Sequence, residues 1–432
     1  MADPACPSTG GQDGDAHPGR SRRADALATV ATAAFVAIIA LVTLLALDRV
    51  VEGKVNDFYG YWDAARTVIE GRPLIEAWGM VWMPLLTYLI VPLGYMPLLV
   101  SAAVWTVVNA LLAGWLCHVA ASAAVRASPR PADEAAIPLV RLIALVVMLP
   151  PIRNVMYEGQ LDILVALLCT AAIACVARGA SMLPAIGIIA AAVVKWSSVA
   201  LIPWIAVRRP LCALWIFLCA AIAALAPSVA IGMPECMAQL RRALAGPVAA
   251  TAPYIHMPDR WSLTNGLGRI ANAIGLSPQV GRWAAIGACG ALAVAFLWQY
   301  RRRGIRWCGT AARGTHQAVH RSLLLAEGAA FMALPLALHP HVATRHATVM
   351  TLPVAILAVA FVMRSPQTSR SAVRIAGVGI TIVAITWYMP YPVRAWWQWV
   401  GGPAMAMLAS AAIALWTQMP PRTPTRHAPL SV

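Results

Sequence analysis

The uncharged run ALATVATAAFVAIIALVTLLAL, Ala26–Leu47, is followed after a short polar break by NDFYGYWDAARTVIE, Asn56–Glu70. The first piece decides the fold class. As a helix it is long enough to cross a hydrocarbon core of about 30 Å. A cleaved leader is the rival reading of an apolar run behind an Arg-containing segment. The length of the run and the missing small-residue cleavage site favour a retained membrane helix.

Composition extends this reading to the whole chain. Of 432 residues 60% are hydrophobic and 12% charged, where a soluble domain carries about one quarter charged residues. The expectation is an all-α polytopic integral membrane protein. Reading apolar runs between charge clusters gives about twelve transmembrane helices, at 26–47, 98–124, 137–150, 160–177, 182–194, 196–207, 211–232, 283–299, 322–338, 347–363, 375–390 and 401–417.

A net charge of +16 in such a chain reflects where its loops lie rather than nucleic-acid binding. With the N-terminus inside, the clusters at Arg20/Arg22/Arg23, Arg126/Arg130, Arg178, Arg208/Arg209, Arg301/Arg302/Arg303/Arg306, Arg364/Arg370/Arg374 and Arg422/Arg426 all fall on the cytoplasmic side. Both termini are then cytoplasmic, and the expected location is a bacterial inner membrane. The expected division is a disordered cytoplasmic tail over 1–24, a membrane domain over 25–418 and a second cytoplasmic tail over 419–432. Two outer loops, about 48–81 and 232–282, belong to the membrane domain. Nine cysteines are scattered without a C-x-x-C pair and read as small apolar side chains.

Several segments depart from plain spans. Asn56–Glu70 predicts a helix from Phe58 to Glu70 with Phe58, Tyr61, Trp62, Ala65, Val68 and Ile69 on one stripe, lying in the membrane interface. The charge-free stretch from Ala77 to Val125 contains Pro84, Pro92 and Pro97, which predicts a re-entrant or broken piece before the helix at 98–124. The pieces 182–194 and 196–207 are each too short to span, with Lys195 between them. Interrupted helices are tolerated where they line protein or a watery cavity, so the chain is expected to surround one.

The candidate chemistry lies on the outer side. Asp57 heads the helix of the first loop, where it is either an N-cap or a general base for an incoming hydroxyl. In PPIRNVMYEGQLD, Pro150–Asp162, the residues Arg153, Glu158, Gln160 and Asp162 collect between two helices. They serve either as caps and solvated loop or as a carboxylate pair or sugar clamp. Lys195 either snorkels or meets an anion such as phosphate. In LHPHVATRHATVM, His339, His341, Arg345 and His346 come together without an H-E-x-x-H pattern, so phosphate donors at a helix start fit better than a metal site. Arg260 with Trp261, and Arg394 with Trp396 and Trp397, pair a cation with indoles, as belt residues or as sugar platforms. Glu327 lies inside an apolar helix and carries no assignment. No P-loop, G-x-S-x-G or dinucleotide fingerprint occurs in a suitable context.

Four pieces then fall in a recognisable order. NDFYGYWDAARTVIEGRPLIE with WMPLLTYLIVPLGYMP, EGQLDILVALL, AAAVVKWSSVALIP and LHPHVATRHATVM together resemble glycosyltransferase family 87. These are the polyprenyl-phosphate-mannose-dependent alpha-mannosyltransferases of the C-type membrane glycosyltransferase superfamily. The resemblance covers about residues 50 to 365. It implies that Asp57 is the catalytic base and matches Gln160, Lys195 and His346 to family positions. Departures are Glu76 for Tyr, Met83 for the first Pro of Y-P-P, Asp162 for Asn, Ser198 for the Pro of K-x-x-P and Ala343 for Trp. Near Arg260 only Ser262 and Leu263 remain of the family's loop.

The resemblance implies transfer of a hexose, mannose in the family, from a polyprenyl-phosphate donor to a lipid-linked or cell-envelope glycan, with inversion at the anomeric carbon. Lys195, Arg345, His346 and Arg153 would bind the donor phosphate. Tyr61, Glu158, Gln160, Asp162, Arg260 and Trp261 would contact sugar or acceptor. Membrane lipids are the remaining partners. No cofactor is required; members of the superfamily differ in metal use, which leaves a divalent cation open. The competing class is a transporter or flippase of a lipid-linked sugar, which shares broken helices and intramembrane charge. The chain lacks the repeated half that such a fold favours.

Overall fold

The computed structural model describes residues 18–77, 84–128, 134–249, 257, 260–305, 316–339, 342–363 and 370–419. Both expected tails, Met83 and His341 lie outside them, apart from the inner edge of each tail. In chain order the helices are α1 (Pro18–Val51), α2 (Phe58–Ile69), α3 (Pro84–Gly94), α4 (Leu98–Ala127), α5 (Ile137–Glu158), α6 (Asp162–Arg178), α7 (Met182–Val194), α8 (Leu201–Arg208) and α9 (Pro210–Leu225). Then follow α10 (Ser228–Ile231), α11 (Met233–Ala249), α12 (Leu263–Ala273), α13 (Pro278–Arg302), α14 (His316–Leu338), α15 (Thr351–Val362), α16 (Arg370–Tyr388), α17 (Tyr391–Trp399) and α18 (Gly402–Gln418). Among the described residues there is no strand.

All twelve expected segments are helical, but they differ in length. Among the described residues eight helices are long and apolar enough to cross a membrane, or nine if α17 and α18, bent by 78° at Gly401, form one broken span. The shortfall lies in α6, α7 and α8, at 17, 13 and 8 residues. Each buries part of its surface inside the bundle. Helix α15 is buried on every side from Thr351 to Val359. In contrast α1 and α13 present rows of exposed apolar residues such as Val30, Leu41, Leu44, Trp283 and Val294, the surface that hydrocarbon requires.

Two breaks place the functional end. At Lys195 the backbone turns extended, φ −149° and ψ 129°, and a short 3-10 turn over Trp196–Ala200 leads into α8. The expected end of a helix at Pro150 is not observed. Helix α5 carries Pro150 and Pro151 in its interior and continues to Glu158. Tight packing on its neighbours tolerates the lost backbone bonds. The chain turns at Gly159 instead, whose φ of +68° is left-handed. A Cβ there would lie 2.5 Å from the Cβ of Phe58, so glycine is needed both for the turn and for the approach of α2.

The expected outer-loop helix forms as α2 and ends one residue early. Its buried face, which includes Phe58, Tyr61, Ala64 and Ala65, packs against α3, and the Trp62 indole donates to the Met96 carbonyl at 2.9 Å. The Pro-rich stretch before α4 is the short helix α3, with Pro92 inside it.

Candidate active site

Asn56 adopts φ +40°, the one positive φ outside glycine among the described residues, and its side chain donates to the Tyr157 carbonyl at 3.2 Å. Asparagine tolerates this conformation better than most residues. It sets Asp57 at the head of α2, facing the turn between α5 and α6.

The Asp57 carboxylate makes no capping hydrogen bond, which removes the first of its two sequence readings. Instead Gln160 Nε2 donates to Asp57 Oδ2, and Arg345 Nη1 lies 3.7 Å from the same oxygen. Gln160 is held in turn by the buried Tyr61, whose hydroxyl donates to Gln160 Oε1 at 3.0 Å. Burial, followed by the nearby Asp162 carboxylate, pushes the Tyr61 phenol above its ordinary range. It therefore stays protonated and keeps donating.

Arg345 bridges to a second carboxylate, since its Nη1 also bonds Glu158 Oε2. Asn154, one turn earlier on α5, donates to Glu158 Oε1 at 2.8 Å. Deeper in, Lys195 Nζ donates to Asp162 Oδ2 at 2.6 Å and lies 3.5 Å from His346 Nε2. The Ala343 amide donates to His346 Nδ1 at 3.0 Å. The Ala343 carbonyl lies 3.2 Å from the same nitrogen, so Ala343 fixes the ring and turns Nε2 toward Lys195, 4.0 Å from Asp162 Oδ1. The polar cluster runs from the Asp57 side chain, 41% exposed, to that of Asp162, 5% exposed.

Eight of the residues selected from sequence therefore meet: Asp57, Tyr61, Glu158, Gln160, Asp162, Lys195, Arg345 and His346. Glu158 and Asp162 lie between two helices, as expected. They flank the Gly159 turn, and each takes its own cation. Three others stand apart. Arg153 is exposed, with its guanidinium over the Tyr157 ring. Trp261 is fully buried and meets Trp387 edge-on at 5.9 Å between ring centres. It packs the core and has no open face for a sugar. The Arg260 carbonyl accepts from Arg269 and Asn265, which makes its segment a braced loop.

Sequence reasoning passed over Trp105 and Asn154. The Trp105 indole donates to the Gly159 carbonyl at 2.9 Å and fixes the turn, but in an apolar run it looks like any lipid-belt tryptophan. Asn154 carried a legible signal, one helical turn from Glu158. Glu327 also finds its partners. Arg208 Nε at 2.8 Å, the Trp204 indole at 3.0 Å and the Tyr300 hydroxyl at 2.8 Å all donate to its carboxylate. This second cluster ties α8 and α13 to α14, away from Asp57.

A family model for glycosyltransferase family 87 matches residues 82–324, more than half of the chain. The chain belongs to glycosyltransferase family 87. No curated protein matches it, and no solved structure matches it. The match contains Glu158, Gln160, Asp162 and Lys195, whereas Asp57, Arg345 and His346 lie beyond its ends and join them through the fold. A family 87 protein is a membrane glycosyltransferase, acting on a sugar donor and an acceptor, and this sets transport aside. The cluster has the parts that chemistry uses: an accessible carboxylate to take a proton, and cations to meet a charged leaving group.

Proposed function

We propose that the protein transfers a hexose, mannose by family resemblance, from a polyprenyl-phosphate carrier to a hydroxyl of a lipid-linked or cell-envelope glycan. The transfer takes place on the outer side of a bacterial inner membrane, with both termini cytoplasmic. The observation that carries this reading is the state of Asp57. It is the most open member of the cluster, free of capping duty and oriented by Gln160 and Arg345.

In the proposed step Asp57 takes the proton of the acceptor hydroxyl. The acceptor oxygen attacks the anomeric carbon from the face opposite the leaving group, and a new glycosidic bond forms with inversion. The bond from the anomeric carbon to the phosphate oxygen breaks, and its electron pair leaves on the lipid phosphate. Lys195 and Arg345, with His346 beside them, stabilise that charge in a site partly shielded from water. The resting pairs, Lys195 with Asp162 and Arg345 with Glu158, hold the cations in place before the donor arrives. Such preorganisation lowers the cost of binding a charged group.

The test uses purified protein in lipid, a panel of radiolabelled polyprenyl-phosphate sugars and an envelope lipid extract. Label moving into new glycolipid with wild type, reduced about 100- to 10,000-fold in Asp57→Asn, is the expected result. Equal transfer by both proteins removes Asp57 from the mechanism.

A further inference from the structure

Beside the cluster, at the same end of α5, two arginines share one aromatic ring. The Arg49 guanidinium, from the end of α1, lies 4.9 Å from the Tyr157 ring centre, and that of Arg153 lies 5.5 Å from it. Neither has a carboxylate within ion-pair distance among the described residues. The nearby Glu52 is taken by Lys54 at 2.6 Å. Arg49 Nε is moreover buried with no hydrogen-bond partner. Arg153 is exposed.

This is a poor arrangement for packing alone. Two like charges repel, and an exposed cation–π contact contributes only about 0.5–1 kcal/mol. A phosphate offers such a guanidinium fork charge-assisted hydrogen bonds that an aromatic ring does not. Arginines beside the end of a membrane helix also lie at the depth of lipid headgroups.

We infer that Arg49, Tyr157 and Arg153 form a subsite for the phosphate headgroup of a membrane lipid, separate from the cluster of Lys195, Arg345 and His346. Tyr157 adjoins Glu158 in sequence, and its carbonyl is held by Asn56, the neighbour of Asp57. A lipid bound here places its headgroup at the mouth of the site. A reaction between two lipid-borne substrates needs a second such position, and this last link rests on the proposed function.

The experiment counts bound lipid and does not depend on turnover. Full-length protein in phosphatidylcholine nanodiscs is titrated with polyprenyl phosphate, and the bound copies are counted by native mass spectrometry. Wild type is expected to hold two, R49Q/R153Q one, and Lys195→Met the other one. R49K/R153K keeps the charges but loses the forks and is expected to bind more weakly than wild type. Because a double variant can misfold, a photoactivatable polyprenyl phosphate is also mapped on the wild-type protein. Labelling near Arg49 and Arg153–Tyr157 supports the subsite.

Wild-type stoichiometry in R49Q/R153Q, or label confined to the Lys195 and Arg345 segments, overturns it. Failure of Lys195→Met to lose a lipid counts against the proposed donor site and leaves the subsite standing. Competition identifies the source of the headgroup. Displacement by phosphatidylglycerol at similar concentration assigns the subsite to bulk anionic lipid, and resistance to it assigns the subsite to a polyprenyl carrier.

Discussion

The side-chain amide of Gln160 donates to the carboxylate of Asp57 across the seam between α2 and the α5–α6 turn. Gln160 itself is fixed through its carbonyl oxygen by the Tyr61 hydroxyl. One amide thus transmits the position of a buried phenol to an exposed carboxylate. Gln160→Leu keeps the bulk and removes both bonds. It is expected to lower kcat by up to about 100-fold, the cost of a misplaced reacting group, with little change in thermal stability. Steady-state transfer kinetics beside a melting curve provide the check.

Tyr61 has a consequence for alkaline stability. Its phenol is raised above the ordinary value of 10.0 mainly by burial, so the folded form holds its proton where the unfolded chain has released it. The stabilising contribution is complete below about pH 10 and falls as the pH rises beyond it. Tyr61→Phe is therefore expected to flatten the loss of stability above pH 10. Melting temperatures of both proteins across that range test this, and parallel curves would argue against it.

Gly159 joins a left-handed φ to a contact with Phe58. Gly159→Ala is expected to cost about 1–3 kcal/mol through backbone strain and to push α2 away from Gln160. Stability and transfer should fall together. A denaturant titration measures the first and the glycolipid assay the second.

The Glu327 cluster acts on stability. Removing one partner of a buried ion pair costs about 3–5 kcal/mol, so Glu327→Ala is expected to unfold well before wild type, with Arg208 left uncompensated. Replacing the pair together, Glu327→Leu with Arg208→Met, should recover much of the loss. A double-mutant cycle by thermal unfolding decides this.

The reading from local pattern went far. The charge-free run at Ala26–Leu47, the broken segment at Lys195 and the helix begun by Asp57 are all properties of neighbouring residues, and hydropathy and helical period report them directly. Asp57 as a candidate was legible for the same reason, as a carboxylate just outside a span, and the fold brings it to the polar cluster. The stop at Pro150 was misplaced, because a proline weighs against a helix locally while packing around α5 outweighs it. Trp261 read as a belt residue or a sugar platform, and only the fold shows that it is core, against Trp387.

By itself the sequence determined that this is an all-helical membrane chain, where its helices lie and which polar residues are costly enough to need partners. Tertiary structure alone decided the pairings. Gln160 reaches Asp57 across 103 residues, and Lys195 meets His346 across 151. Arg345 joins Asp57 to Glu158 where Lys195 takes Asp162, although either cation suits either acid. Hydrophobic pattern is a property of adjacent residues, whereas an ion pair depends on separation in space, and that separation is set by how α2, the Gly159 turn, the Lys195 break and the start of α15 pack at one end of the bundle.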